Sequence, residues 1–142
     1  MQSQAVWIID SDTDDQEVVS HIWKELNLQN ELVLLDGAEH ALQTFEKVMY
    51  APFIIICELN LPGIDGFELR RIMLEKNQKK FKSVPFIFWT TQASEAQITK
   101  AYELSVHGLF IKDANFNELK NTFTCIINYW LKSKMPAKKV DQ

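Results

Sequence analysis

The sequence predicts an α/β domain, a parallel five-stranded sheet with helices on both faces. Three observations carry this. Short apolar runs alternate five times with stretches of helical apolar spacing. One run, Phe53-Ile54-Ile55-Ile56-Cys57, is apolar at every position, as suits a strand buried on both faces. Four of the runs end on Asp10, Glu58, Thr90 and Lys112. In open parallel sheets the functional crevice lies beyond the carboxyl ends of the strands, where the strand order reverses. Two acids, a hydroxyl and a cation are therefore expected at one rim.

Taken in order, the first strand covers Ala5 to Ile9 and Asp10 closes it. A helix follows, with Val18, Val19, Ile22, Trp23 and Leu26 at helical spacing. Thr13 with Gln16 fits a capping box, and the acids from Asp12 to Glu17 suit the positive end of the helix dipole. Most of those acids are read as helix-start residues rather than ligands. The second strand is Glu31 to Leu35, and Asp36-Gly37 turns the chain. Ala38, Ala41, Leu42, Phe45, Val48 and Met49 mark one face of the second helix. Pro52 starts the third strand, which ends at Glu58. Asp65 and Glu68 form a cap for the third helix, with Leu69, Ile72 and Met73 inward. Lys76 to Ser83 reads as a solvated basic loop.

The fourth strand runs from Val84 to Trp89, before Thr90-Thr91. Ser94 with Gln97 is a capping box for a helix with Ile98, Ala101 and Tyr102 on one face. Gly108 precedes a last strand, Leu109-Phe110-Ile111, that ends at Lys112. The final helix starts near Asn115 with Leu119, Phe123, Ile126, Ile127, Trp130 and Leu131 as its stripe. Residues 1–131 are expected to form one domain and 132–142 a flexible basic tail, with no output domain after it.

Bulk properties narrow the classes. The 142 residues suit one domain with a proper core, and 46% hydrophobic with 24% charged residues is an ordinary globular balance. A net charge of -4 argues against a nucleic-acid surface, which needs clustered Lys and Arg. No apolar run approaches membrane-spanning length, and Met1-Gln2-Ser3-Gln4 does not open a signal peptide, so a cytoplasmic protein is expected. Cys57 and Cys125 lack motif spacing and read as inert buried thiols. His21, His40 and His107 have no partner motifs and read as surface or packing residues, as Trp89 reads as packing.

At the four strand ends the sequence resembles the receiver domains of two-component response regulators. The likeness covers Ala5 to Leu131, and Leu61-Pro62-Gly63-Ile64-Asp65-Gly66 is similar to the family's turn after the acceptor strand. The resemblance implies a flavodoxin-like, doubly wound (βα)5 fold with strand order 2-1-3-4-5. It also implies a phosphoryl switch. An acid on the third strand accepts a phosphoryl group from a kinase histidine beside a divalent cation, and Thr90 and Lys112 fall at the switch hydroxyl and the lysine that engage its oxygens.

The chain departs from that pattern in three places. The acceptor position is Glu58 rather than Asp, which moves the carboxylate about 1.3 Å further out, and in-line transfer tolerates such misplacement poorly. Phosphorylation at Glu58 is not expected. Its carboxylate instead reaches toward Thr90 and Lys112 as a partial phosphomimic, or forms a static ion pair with Lys112. The acid pair after the first strand is reduced to Asp10-Ser11, so Mg2+ bound by Asp10, Glu58 and the Asn60 carbonyl is expected to be weak and not required. Asp113 replaces the family's proline, so the Lys112–Asp113 bond is expected to be trans, and Leu109 stands where the family often has an aromatic switch residue.

The resulting reading is a degenerate receiver acting by contact with a histidine kinase, a phosphotransfer protein or another receiver, with no catalytic residue of its own. The expected contact face is the fourth helix, fifth strand and fifth helix, with Gln97, Lys100, His107, Phe110 and Tyr129 as candidates, and a homodimer through it is a further expectation. One alternative keeps Mg2+ binding and phosphoryl transfer. Another is a flavodoxin-like cofactor-binding enzyme. Against it, Ser11-Asp12-Thr13-Asp14-Asp15 has no glycine and too much negative charge to cradle an anion.

Overall fold

The computed structural model describes residues 4–76 and 78–136. Five strands, β1 (Val6–Ile9), β2 (Leu32–Leu35), β3 (Ile54–Cys57), β4 (Phe86–Thr90) and β5 (Gly108–Ile111), form one sheet in the order β2-β1-β3-β4-β5. Every pairing is parallel. Five helices alternate with them: α1 (Thr13–Leu26), α2 (Ala38–Lys47), α3 (Gly66–Lys76), α4 (Glu95–Glu103) and α5 (Phe116–Lys132). This is the flavodoxin-like arrangement expected.

Period-two geometry splits each central strand between two cores. Val6, Ile8, Ile54, Ile56, Ile87 and Trp89 face α1 and α5, packing with Ile22, Phe123 and Ile127. Trp7, Ile9, Ile55, Cys57, Phe86 and Phe88 face α2, α3 and α4, packing with Phe45, Leu69 and Ala101. Both faces of the three central strands are buried, which explains why those strands are apolar at consecutive positions, while the edge strands β2 and β5 are only partly covered.

Several local expectations change. The α1 cap is Asp12, whose side chain accepts from the Asp14 and Asp15 N–H groups, so the cap is one residue earlier than Thr13. Gln16 is not a capping partner: its amide donates to the Asp10 carbonyl at 2.7 Å, tying α1 to the end of β1. The Ser94–Gln97 capping box is present, and Asp65 caps α3 through the Glu68 N–H at 2.9 Å. Met49, Tyr102 and Leu131 are exposed, not inward. Met49 lies beyond the end of α2, and the other two sit at the margins of their helical stripes. Cys57 is buried, but Cys125 is exposed on α5.

The basic loop contains one 3-10 turn, Lys79–Phe81. Phe81 packs edge-on against Phe45 at 4.5 Å, so that loop also closes the core beneath Trp7. Asn77 of this loop, residues 1–3 of the expected leaderless start, and residues 137–142 of the expected tail lie outside the described residues. Met135, within the described part of the tail, packs against the α1–α5 core.

Two contacts fix α3 against the sheet and α4. The Gly66 N–H donates to the Leu59 carbonyl at 2.9 Å, drawing the start of α3 onto the end of β3. Arg70, buried on α3, donates from Nε to the Leu104 carbonyl at 3.0 Å and from Nη2 to the Ser105 carbonyl at 2.8 Å. Its guanidinium lies 5.0 Å from the Phe86 ring centroid. This buried cation answers the C-terminal carbonyls of α4 rather than a carboxylate.

Candidate functional site

Backbone pairing brings the polar strand ends together. Ile9 pairs with Cys57 across β1 and β3, so Asp10 and Glu58 follow side by side. The Glu58 N–H donates to the Ile9 carbonyl at 2.9 Å. On the other side of β4, the Lys112 N–H donates to the Thr90 carbonyl at 2.7 Å. The Lys112–Asp113 bond is trans, as expected, since no described peptide bond is cis.

Lys112 is the centre of the rim. Its ammonium donates to Asp10 Oδ2 at 2.6 Å, Asp15 Oδ2 at 2.8 Å and Glu58 Oε1 at 3.0 Å. Its side chain is 4% exposed, those of Asp10 and Glu58 are 8% and 9%, and that of Asp15 is 32%. An ammonium has three protons, so its donor capacity is filled. The Trp89 ring centroid lies 5.8 Å from Nζ, within cation–π range. The second oxygens of the acids are also used. Asp10 Oδ1 accepts from the Asp12 N–H at 3.0 Å, and Glu58 Oε2 from the Asn60 N–H at 3.1 Å.

Burial opposes the charge on Lys112, but its bonds to Asp10 and Asp15 and the charges of Asp10 and Glu58 outweigh that, and its pKa lies above the ordinary lysine value. Burial raises the Asp10 carboxyl, more than the Lys112 and Asp12 hydrogen bonds lower it. One ammonium shared among three acids leaves Asp10 incompletely compensated.

Thr90, fully buried, does not reach Glu58. Its hydroxyl accepts from Asn60 Nδ2 and donates to the Gln92 carbonyl, both at 3.4 Å, which is long for such bonds. Glu58 therefore extends to Lys112 but not, as the sequence suggested, to Thr90 as well. Asp15 was read as a helix-start acid, and the structure makes it the third partner of Lys112. The signal was present: Asp15 lies four residues before Val19, on the buried face of α1.

A divalent cation of the Mg2+ type takes carboxylate and carbonyl oxygens. Asp10, Asp15 and Glu58 supply the right atoms, but one oxygen of each is turned onto Lys112 Nζ, and Asp12 is spent as a helix cap. Among the described residues no three Asp, Glu, His or Cys are placed to hold a metal. As arranged, the cluster does not fit a metal unless Lys112 moves.

The five candidate contact residues differ in their surroundings. Gln97 is in the α4 capping box, and Lys100 leans 4.7 Å from the Phe67 ring centroid, toward α3. His107 Nδ1 accepts from the Phe86 N–H at 3.0 Å, and its ring meets Trp130 edge-on. Phe110 and Tyr129 are exposed, together with Tyr102 and Ile111.

The family model for the response regulator receiver domain matches residues 6–124. The chain belongs to the response regulator receiver domain family. Response regulator Rcp1 of Synechocystis sp. is 26% identical over 141 residues, with 94% of each chain covered. The probable methanogenesis regulatory protein FilR2 of Methanothrix harundinacea is 31% identical over 80 residues, which is 56% of this chain and 50% of that one. This receiver thus spans nearly all of one curated relative and half of the other. The crystal structure of the phosphorylated cyanobacterial phytochrome response regulator RcpA superposes with a TM-score of 0.85 at 21% identity, covering 95% of this chain and 99% of that one. The Mn(2+)-bound form of Rcp1 superposes with a TM-score of 0.81 at 24% identity, covering 94% and 99%. Receivers are signalling modules of two-component systems, and among the described residues no helix is long and apolar enough to cross a membrane.

Proposed function

We propose that this receiver works in two-component signalling through protein contacts, without running a phosphoryl cycle, and that Glu58 is a constitutive partial phosphomimic. The observation that carries this is the 3.0 Å ion pair between Glu58 Oε1 and Lys112 Nζ. A carboxylate at the acceptor position already holds the lysine that would otherwise engage a phosphoryl oxygen. The mimicry is limited to that arm, because the Thr90 hydroxyl bonds elsewhere. It also supplies one negative charge where a phosphoryl group supplies about two.

Contacts with a histidine kinase, a phosphotransfer protein or another receiver fit the family. The exposed rings of Tyr102, Phe110 and Tyr129 support α4, β5 and α5 as the face for such contacts or for a homodimer. A second reading takes the same ion pair as a static lock. It is favoured by the sharing of Lys112 with Asp10 and Asp15, which holds the rim together whatever Glu58 signals.

Intact-protein mass after incubation with acetyl phosphate and Mg2+ tests the proposal. No phosphoryl adduct is expected. A stoichiometric adduct that disappears in Glu58→Gln would overturn it in favour of a working phosphoacceptor. Partner binding separates the two readings. The phosphomimic reading expects Glu58→Gln to weaken binding while the fold is kept, whereas the static lock expects no change.

A further inference from the structure

We propose that Lys112 is itself the resident cation of this acid cluster, a tethered ammonium that keeps divalent metal out of the native chain. Three features of the rim carry the inference. First, the ammonium has a complete shell. Three carboxylate oxygens take its three protons at 2.6, 2.8 and 3.0 Å. The Trp89 ring lies beside it, and that ring is itself stacked on Phe123 at 5.5 Å, so it cannot swing aside without opening the α1–α5 core.

Second, the cation is delivered by the chain. Lys112 leaves β5 directly from a backbone bond to Thr90, so its occupancy is an intramolecular event that a free ion must outcompete. A metal could enter only if the ammonium gave up all three bonds and left a site that is almost fully buried. Third, the acids converge on the ammonium. Asp10 and Glu58 each turn one oxygen to Lys112 and anchor the other on a backbone N–H, while Asp15 comes in from the first turn of α1. Without Lys112, three carboxylates would face one another with no counter-charge, which a divalent ion is suited to supply.

The inference does not depend on Glu58 being a phosphomimic. A phosphoryl adduct would overturn that reading, and only metal binding bears on this one.

The test is Mn2+ titration followed by electron paramagnetic resonance, in which bound ion loses the sharp signal of the free ion. The native chain is expected to leave the signal undiminished at concentrations where Lys112→Met removes one equivalent, a gain of at least about tenfold in affinity. The site is expected to disappear again in the Asp10→Asn, Lys112→Met double variant, and Mg2+ is expected to compete for it. If Lys112→Met folds only with metal present, its circular dichroism is expected to recover with Mn2+ and collapse with chelator. The native melting temperature, measured with and without Mn2+, decides the matter independently of that variant. No shift is expected. A rise in native melting temperature with Mn2+, native binding as tight as that of Lys112→Met, or a folded Lys112→Met that takes up no Mn2+ would overturn the proposal.

Discussion

Alanine at position 66 puts a methyl group where the structure has no room for one. An added Cβ would lie 2.6 Å from the Glu58 carbonyl oxygen, 2.8 Å from Phe88 Cε1 and 3.0 Å from Leu59 Cα. Comfortable carbon contacts are about 3.5–4.0 Å, so the methyl group is about 0.5–0.9 Å or more too close in three directions. Two of the three atoms are backbone at the end of β3. The third belongs to a fully buried ring wedged between Phe67 and Phe86 at 5.6 and 5.4 Å. Overpacking of a core costs about 1–3 kcal/mol, and a clash with strand backbone belongs at the upper end, about 3 kcal/mol. With an unfolding entropy of roughly 0.3 kcal/mol/K for a chain of this length, Gly66→Ala should lower the melting temperature by about 10 °C. Urea unfolding and thermal circular dichroism measure it, with an unchanged m-value expected. Gly37→Ala is the control: nothing lies within 4 Å of its Cβ position, and because Gly37 caps α2 its cost should be the loss of a glycine cap alone, no more than about 1 kcal/mol. A Gly66→Ala variant melting within about 2 °C of the native chain would refute the close approach of α3 to β3.

Two other outcomes follow from residues the structure repositioned. Asp12→Ala should cost about 1 kcal/mol of stability in urea unfolding, because it removes the α1 cap, while Thr13→Ala should cost less than about 0.5 kcal/mol. The opposite ranking would restore the capping box expected from the sequence. With Ellman's reagent at mildly alkaline pH, one thiol should react quickly, at exposed Cys125. Burial holds the Cys57 thiol well above its ordinary value, so it should react only as the chain unfolds. Two fast thiols in the native state would contradict the dry β3–β4 core.

Much of this was legible in the sequence, because strands buried on both faces are apolar at consecutive positions and their ends carry the polar residues. Asp10, Glu58 and Lys112 meet as that pattern required. What escaped depended on choices that local spacing leaves open. Capping signals fit two overlapping frames around Asp12 and Thr13, and the need of Gln16 to reach the Asp10 carbonyl selects the earlier one. Helical spacing marks a face but neither its width nor where the helix stops, so Tyr102 and Leu131 fell outside the buried stripe and Met49 beyond the end of α2. Charged residues on apolar faces were passed over: Asp15 and Arg70 both sit on buried helix faces, and both turn out to be structural ions. Thr90 does not meet Glu58: its hydroxyl proton is directed to the Gln92 carbonyl, and both Glu58 oxygens are taken by the Lys112 ammonium and the Asn60 N–H.

The Arg70 contact has a mechanical consequence for α4. Its last turn is clamped to α3 through the Leu104 and Ser105 carbonyls, whereas its first turn is held by its own cap and follows the loop from Thr90. Clamped at that end, α4 tilts about it more readily than it slides. At 1.5 Å per residue, α4 is a lever of about 13 Å, and a tilt of about 10° sweeps the first turn through roughly 2 Å while the clamped end stays put. A binding partner seated on exposed Glu95, Ala96 and Thr99 would feel events at the strand rim. One seated on Tyr102 and Glu103, next to the hinge, would find the same surface whatever the state of the rim.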